Sequence, residues 1–361
     1  MPTAVTRQQV LGFRVRAQQL DRESGSLADT AVLDIGVQDT GSDGGPWALA
    51  LRGVDVSTVG DELATVWTVR GAPHLYRRAD LPGVAAATAP FSEADAGKRI
   101  ITAAQPLEAA GIGNLAALDI VAEAMRSIVT APMVKGEMSG RLTAAMDPPF
   151  VRFCVPCDAT HVHEMPFRLA ALRAGLELQP GTSPPVLQPI PGFAPTTTVP
   201  ERLDVVRAYL RLLGPATPRL VAGYLDAPVK DVRGRWPEDV VEVDVAGERR
   251  WLLAEDADRL ADPPALTRLL GPFDLHLQAR DRSLLVDDTA HSKDLWRTLG
   301  RPGGVLSDGE VVGTWRARKA GASVTVSVDL WTRSDRGAIG EQAERLARFR
   351  GLSLKAVDFS K

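Results

Sequence analysis

Apolar positions recur with two different periods along this chain, and the clearest change of period falls between residues 200 and 256. In ERLDVVRAYLRLLG, Leu203, Val206, Tyr209, Leu210 and Leu213 recur at the three-and-four spacing of an amphipathic helix, which Gly214-Pro215 ends. Thr217 offers an N-cap hydroxyl and Pro218 a first helical position, opening a second helix with Leu220, Val221 and Leu225 on its inner face. PVKDVRGRWPED then gathers Lys230, Arg233 and Arg235 beside Trp236. VVEVDV and RRWLLAE alternate apolar and polar residues around Ala246-Gly247-Glu248, which predicts a hairpin with Arg249 and Arg250 at its tip or just beyond. Helix, turn, helix, basic element and hairpin make the layout of a winged helix, so nucleic acid is the first partner class to consider. The same layout also serves for packing and dimerisation, and exposed arginines are ordinary on a solvated face.

The same patterning predicts an α+β chain of tandem winged-helix units with a mixed α/β C-terminal element. Residues 1–97 read as a first unit: VTRQQVLGFRVRAQQL is helical by period, and LADTAVLDIGVQD gives a second helix opened by Asp29 or Thr30. DELATVWTVRGAPHLYRR runs from helix into strand, turn and strand. A glycine-rich stretch, DTGSDGGPW, starts within Gln38-Asp39-Thr40 and carries this unit's candidate catalytic loop. Residues 98–180 form a less sharply winged second unit with three helices: LAALDIVAEAMRSIVTAP, GEMSGRLTAAM and HEMPFRLAALRAGL. Residues 181–199 are rich in proline and threonine and read as a linker or surface strap. Residues 200–262 are the third unit, and 263–361 the α/β element, with Asp308-Gly309 marking a hairpin turn.

Composition narrows this picture. At 361 residues there is length for several cores. A net charge of −3 excludes a protein that coats DNA by charge alone, so any nucleic-acid site is a local patch. Only seven of the 42 basic residues are lysine, a bias that fits a GC-rich genome better than selection for phosphate contacts. The N-terminal MPTAVTRQQVLGF lacks a long apolar core and no stretch approaches a membrane span, so the expected location is cytoplasmic, with no membrane partner. The two cysteines, Cys154 and Cys157, form one CxxC followed closely by His161 and His163. That spacing is short for a finger-type zinc site and lacks the βαβ setting of a redox pair, which favours buried structural thiols; neither metal nor cofactor is expected.

Five stretches in order, VWTVRGAPHL, CVPCDATHVHEMPFRLAAL, RAYLRLLGPAT, LLGPFDLHL and DGEVVGTWRAR, carry a resemblance to a known family. They are similar to landmarks of the bacterial winged-helix family that includes the AlkZ and YcaQ DNA glycosylases, which unhook bulky alkylation and interstrand crosslinks. The resemblance implies double-stranded DNA, alkylated or crosslinked, as partner, a concave DNA-binding face, and an excision pocket in the first unit. The family's catalytic pattern is Gln, an apolar residue, then Gln or Asp. Here the equivalent stretch is Gly36-Val37-Gln38-Asp39-Thr40. With Gln38 in first position, Thr40 replaces the second polar group; with Gln38 in second position, Gly36 replaces the first.

Cleaving an N-glycosidic bond passes through an oxocarbenium-like sugar, so the site needs an acceptor that orients water and a group that stabilises positive charge. Gln38 is the candidate for the first and Asp39 for the second or for general base, although Gln-Asp before Thr-Gly is also an ordinary loop cap. Arg70 and His74 flank the turn in TVRGAPHL, the first suited to a phosphate and the second to proton donation; a histidine there is more often structural. Trp67 and Trp315 sit in apolar runs as core, whereas Trp236 beside Arg235 is the better candidate to touch a base. Three readings follow: a repair glycosylase, which yields abasic product; a non-catalytic DNA-binding regulator, which binds duplex without cleaving it; and a protein-interaction scaffold, which shows no DNA affinity.

Overall fold

The computed structural model describes residues 2–360. It is a mixed α/β chain that divides into two compact units, each discontinuous in sequence. One contains the chain up to Val59 together with Ala208–Leu220 and the stretch from Pro237 onward; the other contains Gly60–Arg207 and Val221–Trp236.

The first unit holds a five-stranded sheet whose order follows the sequence: Thr267–Leu270, Gly303–Ser307, Glu310–Ala320, Ser323–Leu330 and Ser353–Phe359. Neighbours are antiparallel except the last pair, which the Arg336–Phe349 helix connects in parallel. That helix buries Ile339, Ala343, Leu346 and Ala347, the i, i+4, i+7, i+8 stripe of a one-sided helix. Trp47 and Trp315 each donate an indole N–H at 2.8 Å to a strand carbonyl, Leu269 O and Leu270 O respectively. Both are satisfied core residues. Gly303 is what admits Trp315, since a Cβ there would lie 2.3 Å from the indole nitrogen. A second sheet pairs Thr3–Val5 in parallel with Val240–Val245, which pairs with Glu248–Leu253. Ala246 and Gly247 both take positive φ, at 53° and 84°, the primed turn expected for a two-residue hairpin loop.

Two buried aspartates of this unit are paired with buried arginines. Asp281 bonds Arg14 at 2.7 and 3.0 Å and also Arg250, and Asp274 bonds Arg52 at 2.9 and 3.0 Å. Burial pushes both carboxyls up, but the charges of and hydrogen bonds from Arg14 and Arg52 outweigh it and hold them below the ordinary value.

The second unit packs the Asn114–Ile128 helix against Glu93–Ile100, Lys135–Ala145 and Glu164–Ala171. Their shared core includes Trp67, Leu118, Met125, Met138 and Phe167. Strands Leu63–Trp67 and Pro73–Arg77 form an antiparallel pair on one side of it. A separate hairpin, Val151–Cys154 with Ala159–Val162, has no third strand among the described residues.

Between 200 and 256 the helices Val205–Leu213, Pro218–Leu225 and Val229–Arg233 precede the Val240–Leu253 hairpin in the expected order. The predicted inner face is buried throughout, from Leu203 to Leu213. Asp204 caps the first helix by accepting from Val206 and Arg207 N–H, both at 2.9 Å, and Thr217 caps the second. Three expectations need correction. The helix foreseen in LADTAVLDIGVQD is one 3₁₀ turn, Ala31–Asp34, because Gly36 at φ 89° breaks the run and no apolar stripe continues beyond it. The helix foreseen ahead of the strand in DELATVW is a single 3₁₀ turn, Gly60–Glu62, and the chain is already strand from Leu63, as its β-branched residues favour. The proline-rich stretch contains a strand, Val186–Pro189, that pairs with Leu176–Leu178 and Met133–Val134; partners distant in sequence supply what local periodicity lacked.

Candidate functional site

Gln38 ends the short strand Val37–Gln38, and Gly41 at φ 95° turns the chain toward the Gly44–Ala50 helix. In extended backbone, residues i and i+2 share a face. Accordingly Gln38 Nε2 donates to Thr40 Oγ1 at 3.0 Å, while Asp39 accepts from Gly45 N–H at 3.0 Å, at the start of that helix. Of the two registers of the family pattern, the one running Gln38-Asp39-Thr40 brings its two polar positions together. Burial pushes the Asp39 carboxyl above its ordinary value of 3.8; the Gly45 N–H pulls it back and the charge of Asp43 pushes it further. Asp43 is fixed by Arg350, at 2.6 and 3.1 Å. No local signal pointed to Arg350, which lies 307 residues away.

In the second unit His74 is completely buried. Its Nδ1 donates to Ala72 O at 2.9 Å and lies 3.1 Å from Thr68 Oγ1, which also meets the Tyr76 hydroxyl at 3.2 Å. Burial, then the nearby charge of Arg70, drive its pKa down to about 3, so the ring is neutral. Arg70 itself sits at φ 58°, bonds Tyr224 O and lies over the Tyr224 ring at 4.8 Å. In this arrangement both residues brace the turn. Thr68 in turn lines a mostly apolar cavity of about 370 Å³ between Trp67, Leu118, Leu172 and Phe193.

A folded His74 takes up its proton only near pH 3, whereas an unfolded histidine does so near 6.5. His276, fully buried in the other unit, behaves alike, at about 4. Through those intervals the unfolded chain binds more protons, so acid lowers stability by about 1.4 kcal/mol per pH unit and per histidine. His161, pushed upward by its bond to Val162 and by Cys154, opposes this weakly because it is near the surface. Urea unfolding between pH 7 and 4.5 should show a midpoint that falls steadily, and H276N should flatten the slope; an unchanged midpoint would count against buried neutral imidazoles.

The basic candidates separate by exposure. Lys230, Arg233 and Arg235 are exposed on and just after the Val229–Arg233 helix, and Trp236 is half-buried beside them. Arg235 stacks on Phe91 at 4.4 Å, while neither Lys230 nor Arg233 is paired with a carboxylate among the described residues. On the hairpin, Arg249 is exposed with a loose contact to Glu242 at 3.5 Å. Arg250 is turned inward and bonds Glu248 and Asp281, which leaves Arg249 as the outward cation of that strand.

The cysteines are not buried, contrary to expectation. Cys154 is half-exposed and Cys157 exposed, both free, because they sit at the turn end of their hairpin, whereas its other end packs on the Lys135–Ala145 helix through Val162. Hydrogen bonds from His161 and from the Cys157 N–H hold the Cys154 thiol below its ordinary 9.0.

The fold is shared with a solved structure of a DNA glycosylase, AlkZ of Streptomyces sahachiroi. The match has a TM-score of 0.72 at 22% identity and covers 99% of this chain and 100% of that one. A curated relative, the interstrand DNA cross-link repair glycosylase of the same organism, is 32% identical over 161 residues, 41% of this chain and 43% of the relative, so the match spans less than half of that protein. The family model "DNA glycosylase AlkZ-like" matches residues 52–349, and the chain belongs to that family. Gln38, Asp39 and Thr40 lie just before the matched span. No described helix is long and apolar enough to cross a membrane.

Proposed function

We propose that this protein hydrolyses the N-glycosidic bond of alkylated purines in double-stranded DNA, in the cytoplasm, with Gln38, Asp39 and Thr40 at the reacting centre. The observation that supports this most is a carboxyl held above its ordinary value by burial, adjacent to a carboxamide whose nitrogen is already fixed by Thr40. With Nε2 committed, the Gln38 carbonyl oxygen is the group that accepts from a water. Asp39, more basic than an exposed aspartate, takes that water's proton or stabilises the oxocarbenium-like sugar. Lys230 and Arg233, on the basic element of the second unit, meet phosphates, and so does Arg249 on the Val240–Leu253 hairpin of the first.

Incubating the protein with an N7-alkylated duplex and resolving abasic-site cleavage products tests the chemistry; absence of product at every salt concentration overturns it. K230Q/R233Q should weaken duplex binding and lower the slope of log affinity against log salt by about 1 per residue. A second reading, binding without cleavage, is favoured by one feature: Thr40 stands where the family pattern has a carboxamide or carboxylate. It requires duplex binding that survives substitution of Gln38 and Asp39, with no product.

A further inference from the structure

We infer that Cys154, Cys157 and His161 form a binding site for a single thiophilic divalent cation of the zinc type. They are the chain's two cysteines and a histidine brought to one hairpin tip, with their ligand atoms all within 4.8 Å of one another. Ligand atoms in a tetrahedral zinc site lie about 3.3–3.8 Å apart, so closing this cluster takes a movement of about 1 Å at a solvent-facing turn.

The local backbone accounts for the convergence. Cys154 ends its strand, Val155–Cys157 makes one 3₁₀ turn, and Asp158 at φ 48°, ψ 42° reverses the chain into Ala159–Val162. The Asp158 N–H closes the turn on Val155 O at 3.2 Å, and the ligand atoms of Cys154 and Cys157 lie within 4.8 Å of each other. Register pairs Cys154 with Ala159 and Arg152 with His161, which makes His161 the diagonal neighbour of Cys154 across the hairpin. His161 Nδ1 donates to Val162 O at 2.7 Å, which fixes the tautomer and leaves the Nε2 lone pair as the ligand. His163 does not join them: the strand ends at Val162, and His163 is buried with its ring 3.4 Å from Thr102 Oγ1. Nearby Glu164 is occupied by Lys135 at 2.8 Å and Arg168 at 2.6 Å. Three protein ligands with an open, solvent-facing fourth position therefore describe the site, a water completing the tetrahedron.

The hairpin gives the ion a structural task. A two-stranded sheet is marginal in water without a packing partner; here the Lys135–Ala145 helix packs on the Ala159–Val162 strand, and the turn end leaves Phe153 60% and Val155 80% exposed. A cation joining both strands at the tip fixes that end of the hairpin.

The test uses the full-length protein, reduced and freed of metal by a chelator, then titrated with Co²⁺. Expected are one equivalent bound, an intense thiolate-to-cobalt band in the near ultraviolet, tetrahedral d–d bands in the red, and bleaching of both by Zn²⁺. Both thiols should react with Ellman's reagent in the metal-free protein and be protected after loading. C154S/C157S should abolish the charge-transfer band, C157S alone should lower it, and H161A should weaken binding, while H163A, checked for an unchanged circular dichroism spectrum, should leave band and binding as they were. A missing sulfur band at saturating Co²⁺, a band of full intensity in C157S or any band in C154S/C157S, or a reduced protein that only reoxidises to a disulfide without taking up metal would each overturn the site.

Discussion

Replacing Asp39 with asparagine is expected to slow excision of an alkylated purine by about 10²–10⁴-fold, the contribution typical of a positioned proton acceptor. Asparagine keeps an oxygen for the Gly45 N–H that Asp39 now accepts at 3.0 Å, so the start of the Gly44–Ala50 helix is preserved and the loss reports chemistry rather than folding. The pH profile carries a second signature. Burial and the neighbouring Asp43 charge raise the Asp39 carboxyl above 3.8, so the active, ionised form is depleted as pH falls through that raised value. Single-turnover rates of abasic product should therefore show an acid limb displaced upward from an ordinary aspartate, and D39N should lack it. Q38A should lose activity to a similar extent through the water it no longer holds, and T40V less, since it only frees the amide. Full activity in D39N would reduce Asp39 to a helix cap and return the chemistry to the Gln38–Thr40 pair.

The largest stability effect is expected at Asp274. Its side chain is 0% exposed and its partner Arg52 1%, and the pair bonds at 2.9 and 3.0 Å. Truncating it in D274A leaves a guanidinium buried without its counter-ion, at a cost of about 3–5 kcal/mol. Arg52 retains only the carbonyls of Gln18 and Ala48, each at 2.8 Å, which satisfy N–H groups but not the charge. The depressed carboxyl pKa means that this stabilisation is present above pH 3.8 and is lost as pH falls through the lower folded value, so it is complete at neutral pH. Urea unfolding at pH 7 measures it. The double substitution R52M/D274L, with both charges removed, should recover most of the loss, because the penalty comes from the charge left alone. A loss below about 1 kcal/mol in D274A would mean that water reaches Arg52.

Much of this was readable in the chain because it depended on neighbours in sequence. The five apolar positions from Leu203 to Leu213 were enough for a helix face, and Thr217-Pro218 for a helix start. Ala246-Gly247 and Asp308-Gly309 announced their hairpins through residues that tolerate positive φ. The proline-rich stretch failed for the opposite reason: the strand Val186–Pro189 exists only because Leu176–Leu178 and Met133–Val134 offer it partners. Arg250 and Arg249 look equivalent as letters, yet strand alternation turns one inward to Asp281 and the other to solvent.

By itself, the sequence determined helix, strand or tight turn where a periodic stripe ran for several turns, as from Leu203 to Leu213, or a turn residue was present, but not in LADTAVLDIGVQD, where the period is cut short at Gly36; it also carried the ordered landmarks of the family. Those are properties of residues within a few positions of one another, fixed by backbone sterics and by the need to bury one face. Tertiary structure alone decided the state of the polar groups: that Asp39 is raised, that His74 and His276 are neutral, that Arg52 and Asp274 neutralise each other, and that two cysteines meet His161 at an exposed tip. Charge and reactivity depend on desolvation and on distances of a few ångströms, and these are set by groups that folding brings together from far apart along the chain.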